Sequence, residues 1–373
     1  MGFSSLRFTP AFLLLLSWLA LSPPPAPGAT EAEHTRQGHD HYFNLEYDEA
    51  IASYRKALEL DPADPNVYNH IATAILFKEL NRLGMLETSA FKEDNKFLAL
   101  EKPQPDPQAA ESFRKYLLDG REKAEQTLKE KTRDRMAWFA LAQNYALQAN
   151  YQFMIEKSYV GALRNGQRAR GYSNKLRKHY PDFIDSYLVA GVQEYVVGSL
   201  PWAVRALIVL GGIRGNKQKG EEWVTMVADK GTLIRTEARV LLSLLYRRER
   251  RPLEAAELLE GLIAEFPRNY VLRLELAAMY EDAQKFDRAL EIFQKAQDMV
   301  QNKAPGYARM PERLRSALQR KIEELEKKKQ AANTNRAGLQ GVAGQQPSLA
   351  FESPTPAQTA SAIANGFRND GAY

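Results

Sequence analysis

The sequence places metal-ligand types together at only one point, His39-Asp40-His41, where two imidazoles and a carboxylate lie within three residues. Helical zinc sites set their histidines four apart so that both reach one ion. Residues two apart on a helix point about 200° away from each other. The trio therefore reads as a polar helix face, and no metal is expected. His34, His70 and His179 show no obvious pairing with a catalytic nucleophile or acid in the sequence. Gly211-Gly212 and Gly215, followed by Asn216-Lys217-Gln218-Lys219-Gly220, have the glycine content of a phosphate-cradling loop. The required G-x-x-x-x-G-K-[ST] is missing, and Glu221 and Glu222 would repel phosphate. A glycine-rich turn between helices is expected there.

Paired carboxylates occur at Glu221-Glu222, Glu281-Asp282 and Glu323-Glu324. Adjacent helix positions diverge, so such pairs do not form an acid/base couple and read as solvated faces. No serine lies in a G-x-S-x-G elbow and the chain has no cysteine, which removes the usual nucleophiles and thiolate metal ligands. No enzyme, cofactor or small-molecule substrate is expected. The remaining reactive cluster is basic: Arg247, Arg248, Arg250 and Arg251 surround an expected turn. Guanidinium forks there suit carboxylate or phosphate, although charge at an exposed turn also serves solubility.

The elements that carry these residues are helices. Of the 373 residues, 44% are apolar and 26% charged, enough to build a core. The net charge of +5 is spread along the chain without a basic stripe or a stacking module, so no nucleic-acid partner is expected. Leu242, Tyr246, Ala255, Leu259 and Leu262 align without a gap on Leu276, Tyr280, Ala289, Phe293 and Ala296, 34 residues later. Leu242 and Tyr246 share one helix face, and Ala255, Leu259 and Leu262 form an i, i+4, i+7 stripe on the next helix. The small alanines let paired helices approach, and Pro267 separates one hairpin from the next. Trp138, Leu141, Ala142 and Tyr145 give W-x-x-L-A-x-x-Y, and Tyr42, Tyr47, Ala50, Tyr54, Ala57, Leu58 and Pro62 lay out another unit.

This pattern resembles the tetratricopeptide repeat (TPR) family. Two irregular units are expected as well. One runs from Tyr68 to Leu128 around an insertion with Pro103, Pro105 and Pro107; the other begins at Tyr187–Val197 and resumes near Glu221–Ala228. The central stretch Leu200–Gly215 is similar to a divergent branch related to mitochondrial inclusion-body clearance proteins. The resemblance implies an all-α fold, a right-handed α-solenoid of about five to six TPR-like hairpins over residues 30–301. A capping helix over 302–330 carries Leu314, Leu318, Ile322 and Leu325 on one side, and a disordered low-complexity tail is expected over 331–373.

Arg7, the apolar run Ala11–Leu21, and Pro23 to Ala29 read as a signal peptide over residues 1–29, so an exported, periplasmic or secreted protein is expected. The resemblance further implies a concave groove that receives a protein or peptide partner. Carrying over the family's inner-face positions gives Asn69, Thr73, Gln143, Leu147, Leu244, Arg247, Arg248, Ala278, Glu281 and Asp282, a basic patch beside an acidic one. The function expected is a cell-envelope scaffold or adaptor. The alternative is a peripheral membrane or lipid-associated protein that uses the apolar stretch 195–213.

Overall fold

The computed structural model describes residues 30–86, 102–200 and 214–343. The signal peptide expected over 1–29 and most of the apolar stretch, 201–213, lie outside these residues. The described residues form thirteen helices and no strand. Twelve pair as six hairpins: α1 Glu31–Phe43 with α2 Tyr47–Leu60, α3 Pro65–Arg82 with α4 Pro107–Glu130, α5 Arg135–Tyr151 with α6 Tyr159–His179, α7 Tyr187–Gly198 with α8 Lys217–Lys230, α9 Arg235–Arg248 with α10 Pro252–Glu265, and α11 Tyr270–Asp282 with α12 Phe286–Gln301. A helical repeat fold was the expectation, and this is one.

Local chemistry sets the helix starts. A capping box opens α1, with Thr30 accepting from the Glu33 amide at 3.2 Å while the Thr30 amide donates to the Glu33 carboxylate at 2.6 Å. Asp64, Asp106, Asp134 and Asn269 cap α3, α4, α5 and α11, and Pro65 and Pro107 sit at first helical positions, where no amide is needed. The irregular hairpin of α3 and α4 thus keeps ordinary helix starts despite its insertion. Three tight turns between paired helices use one device. Leu45, Arg250 and Gln284 each stand two residues before the second helix, with φ of 63°, 58° and 59°. Left-handed backbone costs a non-glycine residue roughly 1–2 kcal/mol, so packing of the two helices holds these turns.

The packing follows the repeat. Leu242, Ala255, Leu259, Leu262, Leu276, Ala289, Phe293 and Ala296 are all buried, and Ala255, Ala289 and Ala296 are fully so. Tyr246 and Tyr280 are only half-buried, and each lies beneath a guanidinium that shields its ring, Arg251 at 4.1 Å and Arg288 at 5.9 Å from the ring centre. Gly38 is the small residue at the crossing of α1 and α2, where a Cβ would overlap the Tyr54 ring. Gly220 corrects the sequence expectation: it lies inside α8, not in a turn, and a Cβ there would collide with the Tyr195 backbone of α7. The glycine serves a close helix crossing, and capping by the Asn216 side chain (3.0 Å to the Lys219 amide) starts the helix before it.

Two compact units divide the chain, Met1–Gln319 and Arg320–Tyr373. In the first, each hairpin packs on the next in chain order. Its first and last hairpins also meet. Asn269 donates to the Phe43 carbonyl at 2.6 Å, the Arg268 amide to Asn44 at 3.0 Å, and the Arg268 guanidinium to Glu46 at 2.9 and 3.1 Å and to Asp40 at 2.7 Å. Phe43 packs on Phe266 with ring centres 4.9 Å apart, and Arg309 pairs with Glu49 at 2.5 Å. The helix α13, Glu312–Ala343, begins in the first unit, where Leu314 and Leu318 are buried, and continues into the second. It runs past residue 330, so the start of the segment expected as disordered tail is helical. Ala331, Ala332 and Leu339 favour helix, and no proline stops it.

Candidate partner-binding groove

The first helices of the hairpins lie side by side and form one inner layer. His39 of α1 meets His70 of α3 edge-on with ring centres 4.5 Å apart, and Tyr42 of α1 meets Phe77 of α3 at 5.6 Å. Tyr54 of α2 stacks on His70 at 5.4 Å from behind this layer. Asn69 of α3 reaches α5, donating to the Ala140 carbonyl and accepting from Asn144, both at 2.9 Å. At the other end Asn81 of α3 meets the Tyr270 hydroxyl of α11 at 3.3 Å.

The positions expected to line the groove divide into two groups. Thr73, Gln143, Leu147, Leu244 and Ala278 are half-exposed on α3, α5, α9 and α11. Asn69 is not on an open face: it is buried, in a network that continues through Asn144 to Arg121 and Gln148, with Arg121 donating to the two at 3.0 and 2.6 Å. Arg247 and Asp282 are likewise engaged. Arg247 donates to Glu275 at 2.6 Å and to Asp282 at 3.3 Å, with only 8% of its side chain exposed. Arg247 and Asp282, read as parts of neighbouring patches, therefore belong to one ion network tying α9 to α11. Arg248 is exposed and lies 6.0 Å over the Tyr195 ring, and Glu281 is half-buried. Of the other arginines around that turn, Arg251 pairs with Glu221 and Glu254, so Glu221 is no free solvated acid.

The histidine trio behaves as its spacing requires. His41 meets Glu46 at 2.6 Å, Asp40 meets Arg268, and His39 turns inward. Among the described residues no group of three or more His, Cys, Asp or Glu could hold a metal. Burial pushes His39 down to about 4, and His70 also falls well below the ordinary histidine range, by burial and then by the neighbouring His39. Both rings are neutral at physiological pH, and the buried His39 Nε2 has no hydrogen-bond partner in the structure.

Two features of this inner layer have no mark in the sequence. One is Glu237 in the first turn of α9, where an acid looks like an ordinary helix-dipole complement. Burial, then the nearby Asp185, push its carboxyl up to about 7, against its own backbone N–H. Its charge also reaches Tyr42 and Tyr54 on the first hairpin. The other is the clamp around Arg268, whose partners lie more than two hundred residues away. Away from this layer, an open cleft of about 470 Å³ lies where the ends of α5 and α6 meet the turn before α9, with Arg135, His179, Asp182 and Leu233 in its lining.

A TPR-repeat family model matches residues 46–76, and a tetratricopeptide-repeat model matches residues 246–310. The first match spans α2 and much of α3, and the second runs from the end of α9 to just before α13. No curated protein matches in sequence. Among solved structures, similar chains include a thermophilic TPR protein of Thermus thermophilus, at 16% identity and a TM-score of 0.36 over 67% of this chain and 98% of that one. The TPR2AB domain of yeast Sti1, solved with an HSP90 ligand, has 13% identity and a TM-score of 0.26 over 79% and 98%. Yeast Tom70 has 12% identity and a TM-score of 0.25 over 86% and 93%. At opposite ends of the hairpin series, residues 46–76 and 246–310 therefore carry tetratricopeptide repeats, in keeping with the 34-residue spacing and the stacked hairpins.

Proposed function

We propose that the protein is an adaptor of the cell envelope, which holds an extended peptide or protein partner against the inner layer and carries out no chemical step. TPR proteins in general serve as protein–protein interaction scaffolds. The observation that carries the reading here is the side-by-side packing of the first helices, which leaves Thr73, Gln143, Leu147, Leu244 and Ala278 half-exposed on one layer. Small, polar and aliphatic positions alternate there, a surface suited to backbone and side-chain contacts with an extended chain. Location in the envelope is supported by the N-terminal charge and apolar run and by the absence of cysteine. A photo-crosslinking residue at Gln143 or Ala278 in cells should yield one discrete protein adduct that the same residue at Glu122, on α4, does not give. Identical adducts from both positions would sink the groove, and full-length N-terminal sequence on the isolated protein would sink export by cleavage.

A second reading, attachment to a membrane surface, is favoured by α6. That helix has six Arg and Lys residues and no acid. Val160, Tyr159 and Leu163 are 72%, 43% and 40% exposed, and Arg164, Arg168, Lys175 and Lys178 add positive charge along the same helix. No described helix is long and apolar enough to cross a membrane. Sedimentation with anionic and with zwitterionic vesicles separates the readings, because only a surface-bound protein follows the anionic ones and loses them on Val160→Asp with Leu163→Asp.

A further inference from the structure

Several arginines of this fold are neutralised by acids. Arg82 pairs with Glu79, Arg170 with Glu194, Arg247 with Glu275 and Asp282, and Arg268 with Glu46 and Asp40. A different arrangement stands where α4, α5 and α6 meet. The rings of Tyr145 on α5 and Tyr172 on α6 stack with centres 5.9 Å apart and 7° between their planes. Arg121 of α4 lies 4.4 Å and Arg168 of α6 5.5 Å from the Tyr145 ring centre, and the Lys175 ammonium lies 4.6 Å from that of Tyr172. Among the described residues none of these three cations makes an ion pair, and Glu125, one turn along α4 from Arg121, pairs with none of them.

What holds the two arginines is neutral. Arg121 donates through Nε and Nη2 to the Asn144 amide oxygen at 3.2 and 3.0 Å, and through Nη2 to that of Gln148 at 2.6 Å. Arg168 donates to the Asn165 amide oxygen at 3.3 Å. Both asparagines are buried and are fixed in turn, Asn144 by donating to Asn69 and to the Leu117 carbonyl, Asn165 by donating to Gln152. An amide oxygen orients a guanidinium without cancelling its charge, and a ring face steadies the cation while leaving N–H groups at its edge to donate. Forks set in advance lose little freedom when an anion arrives. Arg121 is half-buried and Arg168 exposed, so both can be reached from solvent. The anchors Asn144 and Gln148 directly follow the groove positions Gln143 and Leu147 on α5.

We propose that Arg121 and Arg168, gathered on Tyr145, bind the carboxylate side chains of an acidic segment in the partner peptide. This rests on the adaptor reading and gives it a specificity: the bound segment carries aspartate or glutamate where it meets α5.

Random dodecapeptides displayed on phage and selected against the full chain should enrich sequences with Asp or Glu at a fixed position. A synthetic peptide from that set should bind Arg168→Gln about tenfold more weakly, and Arg121→Gln with Arg168→Gln more weakly still. Charge reversal separates contact from fold. Arg168→Glu should reject the acidic peptide and accept the same peptide with its acid replaced by lysine. An enriched set without an acidic position, equal affinity for wild type and variants, or no gain from the reversed pair overturns the site while leaving the adaptor standing. Failure to enrich any peptide defeats the adaptor reading and the site with it. Sedimentation with anionic vesicles that the double variant loses, without preference for acidic peptides, gives these cations to a membrane surface and overturns the proposal.

Discussion

Replacing Arg268 by methionine, which keeps the stem and removes the fork, should loosen the junction between the first and last hairpins and little else. Arg268 makes two hydrogen bonds to Glu46, at 2.9 and 3.1 Å, and one to Asp40 at 2.7 Å. The Asp40 side chain is 50% exposed, so that contact contributes about 0.5 kcal/mol or less. Glu46 is 11% exposed, and a fork-held carboxylate losing its cation there costs about 1.5–2 kcal/mol, discounted from the fully buried case because Arg268 itself is 30% exposed. The sum, about 2 kcal/mol, is roughly thirtyfold in an opening equilibrium. Hydrogen exchange read by mass spectrometry should show that gain on peptides covering α1, α2 and the start of α11, with α5 to α8 unchanged. Acid provides a second reading. Desolvation works to raise the Glu46 carboxyl, but hydrogen bonds from Arg268 and His41 outweigh it, and it lies below the usual carboxylate range. Its contribution is therefore present above about pH 4.5 and is lost as the pH falls through the lowered value, so the gap between wild type and variant should shrink steadily in acid. Uniform acceleration across all six hairpins, or none at the junction, would refute a local clamp.

Other perturbations have equally definite expectations. His39 is held neutral at about 4, so its share of stability is full above pH 6.5 and falls away between 6.5 and 4; His39→Phe should remove about 2 kcal/mol of acid sensitivity at pH 5, read by urea titration. Gly220→Ala should cost about 2–3 kcal/mol, because the new Cβ meets the Tyr195 backbone and two helices must separate; an unchanged urea midpoint would contradict the crossing. Asp185→Ala leaves three amides ahead of α9 without an acceptor and should cost about 2–3 kcal/mol in the same titration, with a smaller loss for Asp185→Asn.

The repeat was legible because it is written in residue size at fixed spacing: Ala255 and Ala289 are fully buried where the 34-residue alignment requires small residues. The insertions around Pro103 and after Leu200 hid little, since Asp106 and Asn216 cap helices as such residues usually do. The inner layer was read less well. Single-helix reasoning assigns Asn69 and Arg247 to an open face, but each is drawn into a network with a neighbouring hairpin, through Asn144 and through Glu275. Gly220 was misplaced for a related reason, since a glycine that permits a close crossing looks in sequence like one that permits a turn. Arg268 acts through partners on the first hairpin, and no local spacing encodes those distances.

The junction also bears on how the chain reaches its native state. An open stack of repeats gains stability one neighbour at a time, frays from its ends and tolerates loss of a terminal unit. Contacts such as Arg309 with Glu49 and Asn269 with Phe43 make the outermost hairpins mutual neighbours, so neither is a free end. Their formation closes a loop of more than two hundred residues, a step whose entropic cost comes before its reward. Folding should therefore include a late, slow docking phase, and deleting either terminal hairpin should expose the apolar faces of the other.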